Sequence, residues 1–373
     1  MGIKGKVRRV FPGGNTPTGF HSFFDHITGK NYTRRYIIKG GPGAGKSTFM
    51  AKIGEHMLNL GFDIDEYRCP TDPDSLDAIS IPKLGIALLD GTSPHVVDPK
   101  NPGITDDIIW LGRYWDDARL AESKDEILKL QKKGGRLFKS AFSRLKEAKV
   151  AYDEWRSYAE DDLNENEYHT VIRQAMSDLF KGYKGRPHEE TYHNHLFASA
   201  ISGKGVRNYT GGLIEPDHRV YAFSGRPGSG VGKAIDRLAR EAGELGLSTQ
   251  RFHSPIDTDE LDILIIPQLN RVLVNVNQTI GNDNSWLDDR PVERHIDFDR
   301  CLGNVTIREF ADEIEAAKMR FYNLIEGAVN FISGAGEIHS QLEKYYIEAM
   351  DFEKVNSKRE EVLREILKIS EIS

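Results

Sequence analysis

Lys46 and Ser47 are the residues best placed to do chemistry, because of the run that contains them. Gly40-Gly41-Pro42-Gly43-Ala44-Gly45-Lys46-Ser47-Thr48 fits G-x-x-x-x-G-K-[ST], the phosphate-binding P-loop. Its glycines let the backbone wrap so that N–H groups point inward at phosphate oxygens. A helix beginning near Lys46 adds the positive end of its dipole. In such a loop the lysine reaches the β- and γ-phosphates and the serine hydroxyl binds Mg²⁺. The expectation is a nucleotide site built from Gly40 to Thr48, with ATP and Mg²⁺ as ligands and Ser47 on the metal. Asp90 closes the apolar run Leu84-Gly85-Ile86-Ala87-Leu88-Leu89. An acid at the end of a buried strand beside the loop strand is the expected Mg²⁺-side carboxylate, which pairs Asp90 with Lys46 as the catalytic residues. Asp90-Gly91 is also a good turn dipeptide, so an ordinary strand-end turn is the competing reading.

These residues need elements to hold them. Tyr36 to Lys39 reads as a short apolar strand entering the loop. The helix after Lys46 places Phe49, Ile53, Met57 and Leu60 on one stripe, and Gly61 stops it. Further strands are expected at residues 7–11, about 62–68, and 84–90. Pro12 to Pro17 reads as a turn-rich loop, and Phe20, Phe23, Phe24 and Ile27 have helical spacing. Cys69 to Asp77 reads as a loop entering a short helical or irregular piece, with Asp74 as N-cap and Asp77 in the first turn. His95 and Asp98 follow Asp90 closely. They are placed to orient a water or contact a second substrate, or are plain surface-loop residues. From about Thr105 to Lys184 the pattern is long, charged helix, with a break expected at Gly134-Gly135.

The chain then repeats itself. Tyr221 to Gly230 falls on Tyr36 to Gly45 with an offset of 185 positions. The same offset carries Pro70, Asp72, Asp74, Leu76 and Asp77 onto Pro255, Asp257, Asp259, Leu261 and Asp262, and Ile81-Pro82 onto Ile266-Pro267. One residue of slippage upstream pairs Phe11 with Phe197. After about Thr306 the sequence is again charged helix, with a break expected near Gly334-Ala335-Gly336. The fold class expected is therefore α/β: tandem P-loop NTPase cores with mostly parallel sheets and flanking helices, each core followed by a long helical hairpin. The boundaries are 1–104 for the first core, 105–190 for its helices, 191–303 for the second core and 304–373 for the last helices. In the second copy Lys46 becomes Val231, Ser47 becomes Gly232 and Asp90 becomes Asn275, while the turn glycines remain. Lys233 comes two residues late, about 200° further round a helix, and should point elsewhere. The second site reads as degenerate. Asp72, Asp74 and Asp77 persist where the phosphate groups are lost, so a structural role is expected for them, with a shared-ligand or interdomain role as the alternative.

Composition suits a soluble protein with real cores and long solvated helices. The 373 residues are 39% hydrophobic and 29% charged, with a net charge of −7. That balance gives no indication of nucleic acid or an anionic membrane as partner. Cys69 and Cys301 lie in no metal-type spacing and read as buried, reduced thiols. Met1 to Lys6 lacks the apolar run of a signal peptide, and no stretch is apolar enough to span a bilayer, so a cytoplasmic location is expected.

Within P-loop proteins several subclasses do not fit. Gly41 stands where a deviant partitioning-type loop needs lysine, and Gly91 stands where AAA+ and ABC hydrolases carry glutamate. No GTPase N-K-x-D motif occurs. The chain resembles a bacterial family of tandem P-loop ATPases, described as nucleotide-kinase-like. The resemblance rests on Gly40–Thr48, Cys69–Asp77, Ile81-Pro82, Leu84, the run from Asp90 to Pro99, and Leu196-Phe197-Ala198-Ser199-Ala200. It covers nearly the whole length and implies a double P-loop fold that binds ATP. The chain departs from the family at its second loop, where an intact motif is usual. The expected function is Mg-dependent ATP hydrolysis at one site. The alternatives are a kinase passing the γ-phosphoryl to a nucleotide or other small molecule, and an ATP-binding switch that acts on a protein partner through the helical hairpins.

Overall fold

The computed structural model describes residues 4–29, 32–93, 95–185, 191–281 and 284–372. Met1 to Ile3, Pro94 of the Asp90–Pro99 run, residues 186–190 at the expected domain boundary, and Ser373 lie outside the described residues. The first half contains β1 (Val7–Val10), β2 (Gly13–Thr16), β3 (Gly19–Ser22), β4 (Arg34–Lys39), α1 (Lys46–Asn59), β5 (Ile64–Arg68), β6 (Leu76–Ile81), β7 (Ile86–Asp90), β8 (Asp106–Trp110), α2 (Lys124–Asp161) and α3 (Glu165–Leu179). The second half repeats the order: β9 (His193–Leu196), β10 (Ser199–Ser202), β11 (Gly205–Asn208), β12 (Arg219–Ser224), α4 (Val231–Glu244), β13 (Thr249–His253), β14 (Leu261–Ile266), β15 (Arg271–Asn275), β16 (Val292–Asp297), α5 (Ala311–Ala349) and α6 (Phe352–Ile372).

Each half forms a six-stranded sheet, in order β1-β5-β6-β7-β4-β8 and, equivalently, β9-β13-β14-β15-β12-β16. The sheets are mixed, with three of the five neighbouring pairs in each running parallel. β5, β6 and β7 pair antiparallel, as do β13, β14 and β15. The remaining neighbours run parallel. Short connections, such as the single turn from Ile81 to Ile86, can join only antiparallel neighbours, whereas α1 and α4 carry the chain across two strands, from β4 to β5 and from β12 to β13, which run in the same direction.

Alternation along the strands builds four layers. Tyr36, Ile38 and Leu88 point to a core shared with Phe49, Ile53 and Met57 of α1. Ile37, Ala87 and Leu89 point the other way, to a core shared with Val220, Ala222 and Ile263 of the second sheet. The two sheets therefore pack face to face, with helices outside each. Leu60, the fourth residue of the expected α1 stripe, is exposed. Phe11 and Phe197, the pair matched by the repeat, exchange backbone hydrogen bonds of 2.9 and 3.0 Å with each other. Equivalent residues bonded reciprocally place a pseudo-twofold axis between them.

Several local expectations need correction. Residues 13–22 form the β2–β3 hairpin rather than a loop and a helix, and only Phe24–His26 makes a helical turn. The aromatic side chains there serve different partners: Phe24 stacks on His95, and Phe23 lies against His253 and Phe197. Residues 76–81 are a fully buried central strand, so Asp74 and Asp77 cap no helix. β8 extends the first core past residue 104 to Trp110. α2 and α5 run unbroken through Gly134-Gly135 and Gly334-Ala335-Gly336, because they pack antiparallel on each other along a buried seam of Ala141, Leu145, Ala148, Phe321, Ile325 and Ala328. Packing along such a seam outweighs the intrinsic cost of a helical glycine.

The helices also cross between halves. α6, from the second half, packs on α1 through Val355, Val362, Leu363 and Ile366. α3, from the first half, packs on α4 through Val171, Ile172 and Ala175. Each core is completed by the other half's helical hairpin. Among the described residues, no helix is long and apolar enough to cross a membrane.

Candidate functional site

The glycine loop joins β4 to α1. Gly43 (φ +66°) and Gly45 (φ +81°) hold left-handed backbone, as do their counterparts Gly228 and Gly230 at +91° and +86°. A side chain at these positions would be strained, so both loops keep one shape although their chemistry differs. Ala44 closes the turn by packing inward: a Cβ at Gly40 would lie 3.1 Å from the Ala44 Cβ.

Three of the expected residues converge here. The Lys46 ammonium donates to the Gly40 and Gly41 carbonyls at 2.7 and 2.8 Å and lies 3.5 Å from Asp90 Oδ2. Both side chains are largely shielded, with 13% and 16% of their surface exposed. Asp90 Oδ1 accepts from the Thr92 N–H at 2.8 Å, so one oxygen fixes the strand-end turn while the other faces the lysine. Ser47 Oγ accepts from the Leu76 N–H at 3.1 Å, which ties the start of α1 to β6. Thr48 is exposed on α1.

Thr92 is a site residue to which the sequence reading assigned no role. Its hydroxyl donates to the Gly40 carbonyl at 2.9 Å and accepts from the Gly40 N–H, pinning the loop to the end of β7. The signal lay in the repeat: at the equivalent place Asn277 Oδ1 accepts from the Gly225 N–H at 3.2 Å.

His95 and Asp98 part company. Asp98 is exposed and pairs with Lys39 at 3.1 Å. His95 is buried, stacked on Phe24 with ring centroids 4.3 Å apart, and its Nε2 lies 3.9 Å from Asp77 Oδ1. Burial, reinforced by the Asp90 charge, pushes the Asp77 carboxyl up to about 8, while burial pulls His95 down to about 4. Both groups are neutral at pH 7, so this is a contact between neutral partners and not an ion pair. Asp72 and Asp74 instead bind Lys204 of the second half, an interdomain tie on the surface. Cys301 is buried and Cys69 only half-buried, and both are free thiols.

The second loop holds no comparable set. Val231 and Gly232 begin α4 where Lys46 and Ser47 begin α1. Lys233 turns away to Glu160 on the first half's hairpin, 3.3 Å distant. Asn275 Oδ1 keeps the turn by accepting from the Asn277 N–H. A cavity of about 500 Å³ opens beside this loop, lined by Trp155, Arg226, His295, Asp297 and Lys318 among others.

No protein-family model, curated protein or solved structure matches this chain. The site must therefore be read from its own chemistry. Among the described residues, no group of three or more His, Cys, Asp or Glu side chains is arranged to hold a metal ion. The donor set at the first loop, one serine hydroxyl and one carboxylate, suits an ion that takes its other ligands from phosphate and water, which is how Mg²⁺ is usually bound.

Proposed function

We propose that the chain is a Mg-dependent ATP-binding NTPase of the tandem P-loop kind, with one competent site in its N-terminal half. The observation that carries this reading is the gathering of Lys46 and Asp90, 3.5 Å apart, at a glycine turn that opens a helix with Ser47. The same turn in the other half has Val231, Gly232 and Asn275 at those positions. Lys46 and the loop N–H groups would bind the phosphates, and Ser47 with Asp90 would hold Mg²⁺, which supplies charge neutralisation at the transferring phosphoryl group. The second half serves as a structural or regulatory partner. Phosphate release from ATP with Mg²⁺ tests the reading: Lys46→Ala should abolish it and Val231→Ala should leave it unchanged. Equal loss from both substitutions would overturn the one-site assignment.

A kinase is the second reading, favoured by Gly91 in place of a water-polarising glutamate and by the exposed carboxylate of Asp98 near the loop strand. The buried, neutral His95 is poorly placed to meet an acceptor. Labelled ATP offered with nucleosides, nucleotides and metabolites separates the two: transfer to any of them supports a kinase, and transfer to water alone supports hydrolysis.

A further inference from the structure

The cavity beside the second loop lies at the carboxyl ends of β15, β12 and β16, neighbouring parallel strands. Ligands of open α/β sheets bind at such ends. Asn277, the Ser224–Arg226 run, and His295 and Asp297 of β16 line it there. Trp155 of α2, with Glu315 and Lys318 of α5, completes the lining, so helices from both halves take part. The repeat shows how this place differs from the first site. The register that pairs Lys39 with Trp110 pairs Ser224 with Asp297, so Asp297 stands where Trp110 does and Asp299 where Gly112 does. Lys39, Lys46 and Asp90 become Ser224, Val231 and Asn275, while Gly41 becomes Arg226. Two cations and one carboxylate give way to one cation and two carboxylates, which reverses the sign of the charge at the strand ends.

The cations of the cavity are matched within it. Arg226 Nε lies 3.1 Å from Asp299 Oδ2, and the Arg226 N–H donates to Asp299 Oδ1 at 2.8 Å. Lys318 pairs with Glu315 at 3.2 Å. Asp297 is left over. Its Oδ1 accepts from the Asp299 N–H at 3.0 Å, and among the described residues no cation pairs with it. We propose that this cavity binds a protonated organic amine, with Asp297 as its counter-ion and Trp155 as its aromatic wall. An ammonium gains from an unpaired carboxylate and from the negative face of an indole ring. A phosphate would meet carboxylates where the first site offers Lys39 and Lys46. A volume of about 500 Å³ suits a ligand of metabolite size. The assignment stands apart from the nucleotide reading of the first loop.

Full-length protein is titrated by calorimetry with two matched sets: putrescine, butanediol and succinate, then phenethylamine, phenethyl alcohol and phenylacetate. The amine of at least one set should bind, and its alcohol and acid should bind at least about tenfold more weakly. Asp297→Asn removes the charge but keeps the oxygen that accepts from Asp299, as Asn275 does at its own turn. It should weaken the amine about tenfold or more, the effect of losing one charged hydrogen bond. Trp155→Leu should weaken it severalfold. Glu293→Gln, on β16 outside the cavity, should match wild type. Binding of neither amine would overturn the assignment. Preference for the acids would make this an anion site of Arg226 and Lys318, and equal affinity for the alcohols a merely apolar pocket; either overturns it. Displacement of the amine by Mg²⁺ alone would reassign the carboxylates to a metal and also overturn it. Amine binding that Asp297→Asn leaves unchanged, or that Glu293→Gln weakens equally, would place the amine elsewhere and reject this cavity.

Discussion

Arg35 carries a buried charge through the first core. Its guanidinium meets Asp106 at 3.2 and 2.7 Å, with 2% and 0% of the two side chains exposed. Asp106 also accepts from the Lys100 and Asn101 N–H groups. Burial works against its charge, yet the Arg35 guanidinium and the Asn101 N–H hold the carboxyl well below its usual range. Arg35 faces Asp106 across β4 and β8, and in the second half the same register pairs Val220 with Val292. The repeat thus contains its own control. Asp106→Asn should cost about 3–5 kcal/mol in urea unfolding, because it strands a buried guanidinium, whereas Arg35→Val with Asp106→Val should recover most of that loss. That Lys46 and Ser47 stand together at a glycine turn was legible because a loop motif is local, within one strand, turn and helix, and Asp90 was legible from its place at the end of an apolar strand. The cover that α5 places over that loop was not, since nothing near Gly43 in the sequence signals Glu343 and Ile347, three hundred positions away. Asp77 was misread for a related reason: a strand interior that carries Asp and Ser reads as polar loop until its neighbours bury it.

At the scale of elements, glycine pairs that look like helix breaks sit inside continuous helices. A Cβ on Gly135 or Gly336 would meet nothing within 4 Å. No contact or backbone conformation requires glycine at either place, so each costs helix stability without return. Gly135→Ala and Gly336→Ala should each raise unfolding stability by about 0.5–1 kcal/mol, read as a higher urea midpoint at unchanged slope. Strands at 7–10, 34–39, 64–68 and 86–90 followed from short apolar runs and flanking turns, within a residue or two at most ends. The central strand β6 and the hairpin β2–β3 escaped because their burial comes from sheet and interface neighbours rather than from a periodic pattern.

For the molecule as a whole, the seam between halves is lined with histidine. His195 Nδ1 and His253 Nε2 lie 2.8 Å apart, His253 Nδ1 donates to the Thr258 carbonyl, and His26 and Phe23 of the first half pack against this pair. Burial first, then neighbouring cations and rings, pulls His195 down to about 3, while burial pulls His253 down to about 4 and lowers His26. An unfolded histidine takes up its proton near 6.5, whereas these resist it when folded. Their contribution is therefore fully present above about pH 6.5 and is lost as the pH falls from there through about 4. Asp77 and Asp262, raised to about 8 and 7 chiefly by burial, act with the opposite slope, favouring the folded state more at low pH than at high. Because these slopes oppose each other, the test is a difference: relative to wild type, His253→Gln should gain stability in urea unfolding as the pH falls from about 6.5 to 4. The duplication was legible because the offset of 185 holds without a gap from Tyr36 to Asp90. The exchange of hairpins was not, because each hairpin follows its own core in sequence and has the same amphipathic face whichever core it covers.

That exchange fixes an order of events during synthesis. The Tyr36 hydroxyl finds its partner in Glu365, 329 positions later, and the α1 face that holds Phe49 and Ile53 waits for Val362 and Ile366. As the chain leaves the ribosome, the second core already has its helices, since α3 precedes it. The first core, although translated first, stands with an open apolar flank until α6 emerges. The half that carries the intact glycine loop is therefore the later of the two to close, and Glu343 and Ile347 of α5 cover that loop only after the second core has been made.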